Sequence, residues 1–294
     1  MRPFGIAGLQ LQLAKGDNSE RITAEVVAVK ARMPWVEMVV LGELALFGAS
    51  TADAQPMPGD AEAKMCEAAR AAGVWLIPGT LFEQDGDRIY NTAPIIDPTG
   101  RVVDRYRKIY PFRPYEQGVS SGDRFVVFDV PDVGRFGLSI CYDMWFPETI
   151  RTLAWMGAEV ILHPGMTNTI DRETELAICR ASAATNQVYF VDVNVAGPLG
   201  VGLSGVFGPG GEVIHQAGSG HEVMAFELDL DQVTRVRERG WQGLGQPLKS
   251  LRDTPIVFPP YAEGFSASPA FAGLGSLEKP LVERTERPEP GGGV

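Results

Sequence analysis

At 294 residues the chain has room for one large domain or two average ones, and 45% hydrophobic with 21% charged residues describes an ordinary globular protein with a sizeable core. A formal net charge of −11 argues against nucleic acid or an anionic membrane as partner. No apolar run reaches the roughly 18 residues of a membrane helix, and the opening Met-Arg-Pro-Phe-Gly-Ile lacks a signal-like apolar stretch. Cys66, Cys141 and Cys179 form no CxxC pair, which fits a reducing cytoplasm, and His163, His215 and His221 stand in no zinc-ligand spacing.

In chain order, Phe4 to Leu13 reads as a strand. Asp17 with Glu20 reads as a capping box opening a helix that carries Ile22, Val26, Val27 and Val29. Met38 to Leu41 is a short buried-strand run, Asp60 to Ala72 a helix, and Val74 to Ile77 a third strand. Asn91 to Ile96, the turn Asp97-Pro-Thr-Gly100 and Arg101 to Arg105 predict a hairpin. Strands follow at Phe125 to Val130 and Arg135 to Ile140, then at Val160 to Leu162 after an intervening helix. A helix over Asp171 to Thr185 sets Leu176, Cys179 and Ala183 along one stripe. Val188 to Val195, a second hairpin across Gly208-Pro-Gly-Gly211, Val223 to Leu228 and a helix over Asp231 to Arg239 close the core. Helices alternating with strands, twice interrupted by hairpins, predict a mixed sheet or two stacked sheets with helices on the outer faces. From Trp241 the composition shifts to Gly and Pro. Pro255 to Tyr261 reads as an extended arm that packs on something else, such as a neighbouring subunit, and Thr285 to Val294 as disordered.

The stretch Arg135 to Glu148, RFGLSICYDMWFPE, organises the rest. A buried strand stops at Cys141, and Pro147-Glu148 then opens a helix, as a proline at the first turn with an acid beside it favours. The carboxyl end of a strand, before a bend into a helix, is where an α/β protein exposes a reactive group. Glu43 at the end of its strand, Lys108 in Tyr106-Arg-Lys-Ile-Tyr110, and Glu116 in Pro114-Tyr-Glu-Gln117 also lie at the edges of apolar segments. A carboxylate touching a thiol can take its proton and later activate water. A nearby lysine lowers the thiol pKa and offers N–H bonds to an oxyanion. Each of these residues has a common structural alternative, surface charge for the acids and lysine and core packing for the cysteine, and spacing alone does not assemble them into a site.

The order Glu43, Lys108, Cys141, in the contexts LGELALFG, YRKIYPF and SICYDMWFPE, resembles the carbon–nitrogen hydrolase (nitrilase) superfamily. The resemblance spans roughly residues 4 to 230 and includes Asn91-Thr-Ala, Trp155-Met-Gly-Ala-Glu-Val-Ile161, Arg180-Ala-Ser, Asn186-Gln-Val-Tyr189 and Gly202-Leu-Ser-Gly with Pro209-Gly-Gly. It implies a four-layer αββα sandwich of two mixed β-sheets with helices on the outer faces. It also implies a homodimer or higher homo-oligomer, and hydrolysis of a non-peptide C–N bond without a cofactor. By the same resemblance residues 1–265 form the hydrolase domain and 266–294 a C-terminal extension. Cys141 takes the place of the nucleophile, Glu43 of the general base, and Lys108 of the oxyanion stabiliser with the backbone N–H of Tyr142. Glu116 takes that of a second, substrate-positioning glutamate. Tyr115, Trp145, Met166 and Thr167 are expected to line the substrate pocket, and Arg180 and Glu148 to serve structure, Arg180 in an ion pair. The spacing from Lys108 to Glu116 resembles aliphatic amidases and formamidases, whereas CYDMWFPE is closer to omega-amidases and N-carbamoyl-amine amidohydrolases. Tyr142-Asp143 departs from the nitrilase branch proper, and no basic residue occupies positions 142 to 146. The expected function is therefore an amidase acting on a small uncharged carboxamide. An N-carbamoyl-amine amidohydrolase or nitrilase with the same site, and a non-catalytic binding module, are the alternatives.

Overall fold

Uninterrupted apolar runs form interior strands, and patterns of period 3.6 form helices laid over them. Along the chain these are Pro3–Gln10 (β1), Ser19–Arg32 (α1), Met38–Leu41 (β2), Gln55–Pro56 (β3), Asp60–Ala72 (α2), Trp75–Ile77 (β4), Leu81–Asp85 (β5), Arg88–Ile96 (β6) and Val102–Arg107 (β7). Then come Val126–Val130 (β8), Gly134–Leu138 (β9), Pro147–Trp155 (α3), Val160–Gly165 (β10), Arg172–Asn186 (α4), Tyr189–Asn194 (β11), Gly205–Phe207 (β12), Val213–Gln216 (β13), Glu222–Asp229 (β14), Leu230–Arg239 (α5) and Pro247–Asp253 (α6). The computed structural model describes residues 2–264 and 269–279; position 265 and the tail 285–294 lie outside them. Residues 2–111 and 118–255 make one compact unit, and residues 112–117 with the described residues from 256 on make a second.

In the first unit one sheet runs β14-β1-β2-β4-β6-β5-β3, with β7 also paired to β6, and the other runs β13-β12-β11-β10-β9-β8. Both are mixed: β1 is parallel to β2 and antiparallel to β14, while β10 is parallel to β9 and β11, and β12 is antiparallel to β11. Alternation sends Phe4 and Ile6 of β1 into the layer between the sheets, with Val40, Phe136, Leu138, Leu162 and Val191. Ala7 and Leu9 point the other way, onto Ile22 and Val26 of α1 and Met65 and Ala68 of α2. Ile161 and Phe190 likewise meet Ile150 and Leu153 of α3 and Leu176, Cys179 and Ala183 of α4. The result is the four-layer αββα sandwich. Each fully buried Leu, Ile, Val or Phe in these layers stabilises the fold by roughly 1.5–3 kcal/mol before entropy is counted.

Local chemistry moves some boundaries. Asn18 takes the N-cap position of α1, without a side-chain cap bond, in place of an Asp17–Glu20 box; Asp17 Oδ1 accepts the Ser19 N–H at 2.8 Å, and Asn18 spends its amide on the carbonyls of Ala14, Gly16 and Ala45. The strands β3 and β5, absent from the sequence reading, sit at one end of the first sheet, where β5 ends in polar exposed residues. Arg180, expected in an ion pair, instead donates through Nε to the Gly211 carbonyl at 2.6 Å. Beyond Trp241 the chain is not wholly irregular: Pro247 opens α6, its fixed φ suiting a first helical turn. Ile256, Val257, Phe258 and Tyr261 of the expected arm are exposed.

Candidate active site

Glu43 follows β2 after the single residue Gly42, and the backbone there is held from three sides. Its N–H donates to the Gly165 carbonyl at 3.0 Å, at the end of β10. The next N–H, of Leu44, donates to Thr80 Oγ1 at 2.8 Å. Gly79, at φ +78, lies so close beneath that a Cβ there would come within 1.9 Å of the Gly42 carbonyl oxygen. The side chain of Glu43 is only 3% exposed, and its Oε1 accepts from Lys108 Nζ at 2.8 Å and from Asn91 Nδ2 at 2.8 Å. Lys108, 1% exposed, follows β7, and its N–H donates to the Asn91 carbonyl at 2.9 Å. Asn91 thus steadies both partners, one through its amide and one through its backbone. A charge pair this deep must be well satisfied, because each ion has given up its water.

Cys141 comes three residues after β9 ends and opens a single tight helical turn, Cys141–Trp145, that leads into α3. Its φ is +44°, a left-handed conformation that disfavours any residue with a Cβ. The thiol is half-buried and packs against the core between the sheets. Burial pushes its pKa up and the negative charge of Glu43 pushes it further; Lys108 and the Met166 N–H pull it down without winning. The lysine lowers the thiol pKa as expected, against the larger upward push of burial and of Glu43. His163 is no competing base: it is wholly buried at the end of β10, hydrogen-bonded through Nδ1 to Ser139 Oγ at 2.7 Å, and burial with the charges of Arg172 and Lys108 holds its pKa down near 3.

Of the expected pocket residues, Met166 presents its backbone N–H to Cys141, while Thr167 turns its hydroxyl to Glu175 Oε1 at 3.0 Å. The ring of Trp145 is partly exposed and tilted against that of Tyr142, at 6.4 Å between centroids. Tyr115 and Glu116 belong to the second unit, where Tyr115 stacks on Phe112 at 4.9 Å and Glu116 Oε2 accepts the Phe112 N–H at 2.5 Å. The structure therefore brings Glu43, Lys108, Cys141 and Met166 together, and adds three polar residues that the sequence reading did not select: Asn91, Asp143 and Glu175. A buried amide, a thiol poised beside a carboxylate, and a lysine form an arrangement suited to nucleophilic attack with proton transfer in both directions.

A family model for carbon–nitrogen hydrolases matches residues 7–238, so the chain belongs to the carbon–nitrogen hydrolase family. Human omega-amidase NIT2 is 30% identical over 260 residues, covering 81% of this chain and 93% of that protein. The crystal structure of Saccharomyces cerevisiae Nit3, a member of branch 10 of the nitrilase superfamily, superposes with a TM-score of 0.75 at 28% identity, covering 81% of this chain and 94% of that one. An amidase from Nesterenkonia, 23% identical with a TM-score of 0.71, covers 80% of this chain and 94% of its own and shares the fold.

Proposed function

We propose that this amidase-type carbon–nitrogen hydrolase cleaves the C–N bond of a small carboxamide through a thioester on Cys141, releasing ammonia and then the carboxylic acid. The observation that carries this reading is the buried Glu43–Lys108 pair, 2.8 Å apart, whose two charges both act on the Cys141 thiol. Attack on the amide carbon is coupled to transfer of the thiol proton to Glu43. Lys108 and the backbone N–H of Tyr142 then meet the charge that develops on the carbonyl oxygen. Glu43 returns the proton to the departing nitrogen, which leaves as ammonia, and takes another from the water that hydrolyses the thioester. Glu116 is assigned to substrate positioning.

An uncharged acyl group of modest size is favoured, with Tyr115, Trp145, Met166 and Thr167 lining the pocket and no basic residue at positions 142 to 146 to meet a carboxylate. The name omega-amidase borne by human NIT2 supports an amide over a nitrile or ureido substrate. We assign the hydrolase domain to residues 1–265 and a homo-oligomeric state to the protein, the exposed Ile256, Val257 and Phe258 being the surface a second copy covers. Light scattering of the full chain beside a truncation after Arg252 tests the latter; an unchanged mass refutes it. Ammonia release from a panel of amides, ureido acids and nitriles, with wild type beside Cys141→Ala, tests the activity. Release from an amide by wild type alone is the expected result, and equal release by the alanine variant overturns the mechanism.

A further inference from the structure

Asp143 takes no part in the reaction written above, yet it is wholly buried two residues after the nucleophile. Its carboxylate receives three donors. Oδ2 accepts the Ile140 N–H at 2.9 Å and the Tyr106 hydroxyl at 2.7 Å, and Oδ1 accepts the Tyr110 N–H at 2.9 Å. Its own N–H returns to the Ile140 carbonyl at 3.0 Å, closing the turn on which Cys141 is strained. The donors come from two places with different tasks. Ile140 is the residue immediately before the nucleophile. Tyr106 and Tyr110 stand two residues before and two residues after Lys108. One carboxylate thus grips the nucleophile's turn and both flanks of the lysine segment.

We infer that Asp143 is the positioning residue that sets Lys108 and Cys141 at working distance from one another, and that this clamp holds only while its carboxylate is ionised. The inference rests on the amidase reading for its kinetic test but not for its geometry. Lys108 reaches Glu43 with its Nζ, and its segment is also fastened from outside, since Arg105 pairs with Glu62 of α2 and Arg107 with Glu83 of β5. Those pairs fix β7 to the helix α2 and to β5 of its own sheet. Among the described hydrogen bonds, those to Asp143 join the Tyr106–Tyr110 segment to the turn that carries Cys141, which belongs to the other sheet. An ionised carboxylate accepts from all three donors with charge-assisted bonds; once protonated, it loses that charge and must present a donor of its own to the Tyr106 hydroxyl or the backbone N–H groups. The groups facing Asp143 are Tyr106, Tyr110 and Lys108, with Glu148 acting on Tyr110. Burial raises the carboxyl to about 6, and the three donors and Lys108 pull against that rise. The clamp is therefore tightest when the carboxyl is ionised and weakens as it takes up a proton.

The test uses Asp143→Asn and Tyr106→Phe, each checked for folding by circular dichroism and thermal melting. Two readouts are followed between about pH 5 and 8, the range over which Asp143 changes charge: ammonia release from an amide and alkylation of Cys141 by iodoacetamide. Asparagine keeps the shape but turns an acceptor into a donor. A displacement of about 1 Å at a reacting pair costs about a hundredfold in rate, so Asp143→Asn is expected to lose about that in kcat with little change in KM. Tyr106→Phe removes one donor from the ionised carboxylate, and the acid limb of both readouts is expected to move to higher pH. If both variants melt normally and keep the wild-type kcat and acid limb, the inference is wrong. It is equally wrong if activity falls only in step with the folded fraction while the pH profile of the remainder is unchanged. Should wild type release no ammonia from any amide, the amidase reading fails by itself, and the alkylation profile of Tyr106→Phe still decides the clamp.

Discussion

Two of the groups of buried charge among the described residues are built differently. The first is Glu43, Lys108 and Asn91, gathered from the ends of β2 and β7 and from β6. The second is Arg172 at the start of α4, which pairs with Asp192 of β11 and, at 3.1 Å, with Glu175, and donates to the Leu203 carbonyl at 2.9 Å. Both are almost fully buried. In the second, one guanidinium is shared among a helix, a strand and a loop, so its geometry fastens elements together. In the first, both charges act on the thiol of the partly exposed Cys141, so under the proposed mechanism the pair has a proton to exchange; the second faces the fully buried Cys179, with its Glu175 also reaching Cys141. The difference teaches that burial of charge does not distinguish chemistry from architecture; what stands next to the charge does.

Substitutions sharpen this contrast. The largest effect belongs to Glu43→Gln, which keeps the hydrogen bonds to Lys108 and Asn91 in outline but removes the basicity; turnover of an amide should vanish while circular dichroism stays unchanged, and activity within reach of wild type would remove Glu43 as the base. Lys108→Met should follow closely, with kcat reduced about 10²–10³-fold as the oxyanion loses a charged donor. Its melting point should fall only modestly, since Glu43 can take up a proton in place of its partner. Arg172→Met should invert the pattern. It strands Asp192 and Glu175 without their cation, at a cost of about 3–5 kcal/mol in unfolding free energy, read by denaturant titration. A loss of stability in Lys108→Met as large as that in Arg172→Met would collapse the distinction.

Much of the architecture can be read from residue patterns, and the site only in part. Cys141 and Glu43 announce themselves because each ends an apolar run, a local signal. The partners that make them work do not. Asn91 sits within a strand that reads simply as one side of a hairpin, and its amide meets Glu43 from 48 residues away. Asp143 looks like an ordinary acid in a turn, and the Tyr106 hydroxyl that reveals its task lies 37 residues earlier. Neither adjacency has a spacing rule: the first depends on strand order within one sheet, the second on how the two sheets stack. The Asp17–Glu20 box failed for the opposite reason. Neighbouring residues offered two ways to start α1, and Asn18 took the cap position while its amide satisfied three carbonyls.

The left-handed backbone of Cys141 has a consequence for how this chain can change. At φ +44° glycine is the residue with least backbone strain to bear, although it would also give up the packing of the Cys141 side chain against the core between the sheets. Under the proposed mechanism the strained backbone is tolerated because the residue that bears it is the nucleophile, so relief of strain at position 141 would come at the expense of turnover.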